Sequence, residues 1–186
     1  MLLEKILQSQ GFGSRKYCQQ LIKNGSVLIE NQVYDNPKQN LNTDDLNFTV
    51  FGEPYQYREN VYIALNKPQD YECSHQATHH QSVFSLLPEI LIHRGVQCVG
   101  RLDQDTTGLL LLTDDGMLAH ELLSPRKHVD KVYFAKVSGQ FGENEIARFK
   151  EGLDIGNGER SKQARLQILK ADVQESEVLI TIMEGK

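Results

Sequence analysis

Between Gly100 and Gly116 the chain reads GRLDQDTTGLLLLTDDG. Arg101, Asp103 and Asp105 stand directly before its most apolar run, and Asp114 and Asp115 directly after it. Three readings fit those residue types. The first involves no chemistry: a surface turn whose charges are solvated and contribute little to stability. The second is a hard cation held by the four carboxylates, since such cations prefer oxygen ligands. The spacing speaks against it, because the segment GLLLLT as a strand would set the two carboxylate pairs about 20 Å apart. The third is a catalytic carboxylate at the end of a buried strand, kept ionised by a neighbouring arginine. Gly100 and Gly108 bracket the loop, and the apolar strand behind it would anchor it against the core.

Other chemically competent residues are scattered. His75, His79 and His80 fall in SHQATHHQS, a loop-like stretch in which nothing fixes the ring directions, so no metal is expected there. Cys18, Cys73 and Cys98 are odd in number and lack C-x-x-C spacing, which argues for reduced thiols over a disulfide framework or a zinc site. The formal net charge is −5, yet a local field is what meets a phosphate backbone. Arg15, Lys16 and Lys23 gather near the N-terminus, while Arg126, Lys127, Lys131 and Lys136 form a second basic cluster opposed only by Asp130.

The elements that must position these groups follow from periodicity. Leu2, Leu3, Ile6 and Leu7 repeat as an amphipathic helix, stopped by Gly11 and Gly13. Ser14 is an N-cap for a second helix, in which Tyr17, Leu21 and Ile22 share a face, ending at Asn24-Gly25. SVLIENQVYD then reads as two strands about a turn at Glu30-Asn31. Residues 1–48 are therefore expected as a helix-helix-hairpin domain, and TVFGEPYQYREN (49–60) as a linker. From residue 61 onward strands dominate: 61–66 closed by Lys67-Pro68, 108–113 buried on both faces, then 131–139, 164–170 and 177–183. Helices fit 116–123 and 145–153. The expected class is α+β on a mainly antiparallel sheet, with 61–186 as the second domain. With 186 residues, no membrane-length apolar run and no signal peptide, the default address is the cytoplasm.

GRLDQDTTGLLLLTDDG, preceded by LNKPQDYECS and followed by SPRKHVDKVY, resembles the RsuA-like branch of the ribosomal RNA pseudouridine synthases. SRKYCQQLIKNGSVLIENQVY resembles the S4 RNA-binding domain carried by that branch. The resemblance implies conversion of one uridine of folded ribosomal RNA, 16S by likeness, to its C-glycoside isomer with no metal and no organic cofactor. It implies Asp103 as nucleophile or as the group stabilising a detached uracil, in a pocket holding a flipped-out nucleotide. Arg101 would face the RNA, and Tyr133 would stack on the flipped base and assist proton transfer at the sugar. Lys67 and Pro68 match a motif that shapes the structure under the site. Arg15, Lys16 and Lys23 would contact phosphates, with Arg126 and Lys127 flanking the RNA path. The implied partner is ribosomal RNA or a subunit-assembly intermediate, met by a monomer, with no membrane.

Two departures from the family pattern stand out. Asp70 occupies a position where the family has glycine, and it needs a conformation open to a side chain. Glu184 to Lys186 match the opening of a further basic motif, whose continuation would supply a cationic partner for Asp103 and complete the sheet. The resemblance thus implies an interruption at Lys186, and it leaves the activity of the 186-residue form open. Two rivals remain at this stage: a non-catalytic RNA-binding protein using the N-terminal domain, and a metal-dependent hydrolase built on Asp103, Asp105, Asp114 and Asp115.

Overall fold

A computed structural model describes residues 1–124 and 129–183. The chain separates into two compact units, Met1–Ala119 and His120–Lys186.

The first unit begins with α1 (Leu3–Ser9) and α2 (Arg15–Lys23). Ser14 caps α2 as its residue type predicts, its hydroxyl accepting the Tyr17 N–H at 3.3 Å. The apolar stripe of α2 is Cys18, Leu21 and Ile22, all buried; Tyr17 lies beside that stripe and is 47% exposed, so it does not share the buried face expected for it. β1 (Val27–Ile29) and β2 (Gln32–Val33) form the expected hairpin, with Glu30 and Asn31 at φ 49° and 62° as a tight primed turn demands. Residues 49–60, read as a linker, instead complete β3 (Asn47–Val50) and contain β4 (Glu53–Gln56). Both strands join one antiparallel sheet in the order β2-β1-β3-β4. Gly and Pro suggested a linker, but Phe48 and Tyr55 sit directly opposite each other in register and stack against the same core, with Phe12 edge-on to both.

β5 (Tyr62–Lys67) follows, with the short parallel pair β6 (Tyr71–Glu72) and β7 (Gln81–Ser82), a 3₁₀ turn Val83–Leu86, and α3 (Glu89–His93). β8 (Gln97–Cys98) and β9 (Gly108–Thr113) complete a sheet of order β5-β9-β8. Ile63, Leu65, Leu110 and Leu112 face a core built on Val83, Phe84 and Val96. Leu109 and Leu111 are 70% and 38% exposed, which corrects the expectation of a strand buried on both faces. The sheet here is antiparallel with its core on one side, so burial alternates along β9 although leucine fills both sets of positions. The boundary between the units falls inside α4 (Gly116–Leu123).

The second unit holds β10 (Lys131–Ser138), α5 (Glu143–Glu151), a small hairpin of β11 (Asp154–Gly156) and β12 (Glu159–Arg160), then β13 (Arg165–Ala171) and β14 (Glu175–Ile182). The long strands pair antiparallel in the order β10-β14-β13, and α5 packs against β13. β10, α5, β13 and β14 lie within a few residues of the periodicity-based assignments, whereas the hairpin β11–β12 falls where no element was expected. The class is α+β, as expected.

Candidate active site

The Asp103 loop is held from below by a lysine. Lys67 closes β5 opposite Gly108, the first residue of β9, and its side chain is wholly buried. An ammonium has three protons to donate, and Lys67 Nζ donates to the carbonyl oxygens of Pro68 (3.0 Å), Gln104 (3.0 Å) and Thr106 (2.8 Å). Two of those acceptors flank Asp105 in the loop. Gln104 O also accepts the Asp70 N–H at 2.8 Å. Asp70 reaches that position at φ 65°, the left-handed region that aspartate enters more readily than most residues. The chain thus keeps the turn without glycine.

The loop is pinned at two more points. The Thr106 N–H donates to Asp103 O at 3.1 Å, closing a turn around Gln104 and Asp105. The Leu102 N–H donates to Cys73 Sγ at 3.4 Å, while the Leu102 side chain packs against the Val83–Phe84 core. Asp103 itself is exposed at the surface of this fixed backbone, as are Arg101 and Asp105. Among the described residues no ion pair joins Arg101 to Asp103, so the neighbouring arginine does not hold the carboxylate by direct contact.

Asp114 and Asp115 are committed elsewhere. Asp115 caps α4, accepting the Leu118 and Met117 N–H groups at 3.0 Å each, and it accepts the Tyr62 hydroxyl at 2.9 Å. The Leu118 amide and then the Tyr62 hydroxyl hold its carboxyl below the usual range. Asp114 accepts the Val61 N–H at 2.8 Å and the Arg94 Nε–H at 2.8 Å. Among the described residues no three His, Cys, Asp or Glu side chains gather as metal ligands. The histidine segment has a structural anchor: the Glu72 carboxylate accepts the backbone N–H groups of Thr78, His79 and His80 at 3.2, 2.9 and 2.8 Å, and the His79 and His80 amides hold it below the usual range. His75 stacks on Phe84 at 3.5 Å between ring centroids. Burial, with a smaller contribution from Cys73, pushes the Cys98 thiol up to about 12; burial alone is the main cause of the rise to about 11 at Cys18.

The family described as RNA pseudouridylate synthase matches residues 61–186, and the S4 domain matches residues 1–47. The chain belongs to the RNA pseudouridylate synthases. It is 38% identical over 186 residues to the uncharacterized RNA pseudouridine synthase YtzG of Bacillus subtilis, covering 100% of this chain and 78% of that protein. It is 34% identical over 187 residues to the ribosomal small subunit pseudouridine synthase A of Vibrio vulnificus, with the same coverage. A solved pseudouridylate synthase superposes on 100% of this chain and 78% of its own at a TM-score of 0.61 and 29% identity.

Tyr133 lies half-buried in the middle of β10, opposite Ile180 of β14. Lys16 and Lys23 are exposed on α2. Arg15 is tied down: its Nε and Nη2 both donate to the Glu4 carboxylate, which is fully buried and also accepts from Gln19. Arg126 and Lys127 lie outside the described residues. Sequence reasoning missed Glu4 and Arg94, and it named Lys67 only through the resemblance, without its three carbonyl partners. A common signal was available, since each is a charge set in a mainly apolar stretch: LLEKIL, IALNKP and LIHRGV. A charge there must find partners to be buried at all. Among the described residues no helix is long and apolar enough to cross a membrane.

Proposed function

We propose that the synthase isomerises one uridine of small-subunit ribosomal RNA, with Asp103 as the reacting carboxylate. The observation that carries the assignment is the Asp103 loop, whose backbone is fixed by Lys67, Cys73 and its own turn while the carboxylate stands clear of partners in the described residues. Such a group approaches a flipped-out nucleotide with little reorganisation, which is the condition for electrostatic and nucleophilic catalysis. The reaction is an isomerisation: the bond from ribose C1′ to uracil N1 breaks, the base turns, and a bond from C1′ to C5 forms. The C5 proton leaves and N1 gains one, so no redox partner is required. Asp103 stabilises the electron-poor ribose or bonds to the detached fragment while the base turns. Tyr133 stacks on the base and assists proton transfer at the sugar, and Arg101 faces the RNA.

Residues 1–48 act as the RNA-recognition domain and 61–186 as the synthase domain of a monomer. Lys16 and Lys23 on α2 contact phosphates, joined by Arg15 through the edge of its guanidinium not taken by Glu4. Arg126 and Lys127 enter on sequence grounds alone. The choice of small-subunit RNA is supported by relatives named for that substrate, such as the one from Vibrio vulnificus.

The test is chemical mapping of pseudouridine in small- and large-subunit ribosomal RNA after incubation with the wild type and with Asp103→Asn. One modified position in the small-subunit RNA, lost in the variant with RNA binding retained, is expected. Modification by Asp103→Asn at the wild-type rate refutes the role of Asp103, and modification only of large-subunit RNA refutes the substrate. Salt-dependent RNA binding with no pseudouridine from either protein favours the non-catalytic alternative.

A further inference from the structure

Gln10, Arg94 and Asp114 come from three separate parts of the first unit and meet in one closed network. Gln10 follows α1 and is 6% exposed. Its amide pairs with the backbone of Arg58 as a strand neighbour would: Oε1 accepts the Arg58 N–H at 3.0 Å and Nε2 donates to Arg58 O at 2.9 Å. Arg94, just after α3, has a side chain only 4% exposed, and it donates in three directions. Nε and Nη2 meet Asp114 Oδ2, at 2.8 and 2.7 Å. Nη1 meets Gln10 Oε1 at 2.8 Å, and Nη2 also meets Arg58 O at 2.9 Å and Glu59 O at 3.1 Å. Asp114 completes the ring through the Val61 N–H. Arg58, Glu59 and Val61, at the junction of the RNA-recognition and synthase domains, are therefore bonded to the same guanidinium, directly or through Gln10 or Asp114.

The contact is also close in the steric sense. A Cβ on Gly11 would fall 2.0 Å from Ile90 O of α3 and 3.0 Å from Arg94 Cγ, so the end of α1 lies directly against the helix that precedes Arg94. Arg94 is suited to the task because its planar fork serves several acceptors at fixed angles, which a lysine cannot do.

We propose that Arg94 is a positioning residue that clamps the N-terminal RNA-recognition domain onto the synthase domain, so that α2 and the Asp103 loop engage one RNA at a fixed separation. The inference rests on the reading of the preceding subsection, namely that α2 binds RNA and Asp103 reacts with it. Two sites at a fixed separation bind a matching RNA with a high effective concentration of the second site, which a free tether lowers. The clamp therefore selects folded RNA that spans both sites, and its release weakens RNA capture without touching the chemistry.

The test uses the full chain with Gln10→Ala, which removes the N-terminal arm and leaves the Arg94–Asp114 pair. Arg94→Met/Asp114→Asn is the second variant, which removes both charges so that neither is buried alone. Three quantities are read: amide exchange at Arg58 and Val61, the Kd for a small-subunit ribosomal RNA transcript, and KM against kcat. Faster exchange at Arg58 with unchanged protection of Leu110 and Leu112 is expected, with Kd and KM raised about tenfold or more and kcat within about twofold. Faster exchange with unaltered Kd and KM overturns the proposal, as does a fall in kcat at constant KM or unaltered exchange in both variants. Absence of pseudouridine from the wild type would defeat the functional reading alone; exchange and Kd still judge the clamp.

Discussion

Replacing Lys67 with methionine tests whether the fixed loop matters for catalysis. The two side chains are of similar length, so the buried stem is roughly conserved while the three donors vanish. Gln104 O keeps the Asp70 N–H at 2.8 Å, but Pro68 O and Thr106 O lose their donor. Leaving a buried carbonyl unpaired costs about 1–3 kcal/mol, and two of them set an upper range of about 2–6 kcal/mol. These carbonyls are only part-buried, so water reaches them and the lower half of the range applies. Relief from burying an ammonium, itself several kcal/mol, offsets part of the remainder. The net expectation is a stability loss of about 1–3 kcal/mol. Activity should fall further, because a displacement near 1 Å at a reacting group costs roughly a hundredfold in rate. Urea unfolding and single-turnover pseudouridine formation on the same preparations separate the two effects. A variant that reacts within about threefold of wild type, a barrier change under about 1 kcal/mol, would refute the claim that Lys67 positions Asp103. So would a rate loss wholly explained by the fraction unfolded.

Three further outcomes follow from named contacts. Glu4 is held below the ordinary carboxylate range by hydrogen bonds from Gln19 and then Arg15. Its folded value lies below its unfolded one, so its contribution is complete at neutral pH and is lost as pH falls through the folded value; urea midpoints from pH 7 to 3 should decline less steeply for Glu4→Gln than for wild type. Asp70→Gly removes a side chain from φ 65° and should stabilise by about 0.5–1 kcal/mol, whereas Asp70→Val should destabilise by more than about 1 kcal/mol, both read by thermal unfolding. Neutralising Lys16 and Lys23 should lower RNA affinity and flatten its salt dependence by about one unit of slope for each phosphate no longer neutralised, with unfolding unchanged; Arg15→Ala should disturb both, since it also strips the buried Glu4 of a partner.

The pattern of what could be read from sequence has a physical cause. The longer helices and strands were legible because each buries one face, and a stripe such as Leu3, Ile6 and Leu7 or an alternation such as that of β10 is written locally. The short pairs β6–β7 and β11–β12 were not, because strands of two or three residues carry no period. β4 was hidden for a different reason: its Gly and Pro neighbours signal a break, and only pairing with β3 across the sheet shows that Tyr55 belongs to a core. Leu109 and Leu111 misled in the opposite direction, since apolar type sets a preference for burial and the sheet decides whether a layer is there to meet it.

The same distinction separates the group proposed to react from those that hold its loop. Asp103 was singled out because its motif is contiguous. Lys67 and Asp70 meet the Asp103 loop across more than thirty positions of sequence, and Arg94 meets Gln10 across 84. Such pairs are specified by the fold, yet each leaves a local trace: a charge or a left-handed residue where the surrounding pattern asks for an apolar side chain or a glycine. At Glu4, Lys67, Asp70 and Arg94 the chain departs from its expected pattern, and at each of them the departure is met by partners that fix a helix pair, a loop, a turn or a junction. Local inconsistency is therefore the signal by which such supporting residues can be sought, as motif is for the residue proposed to react.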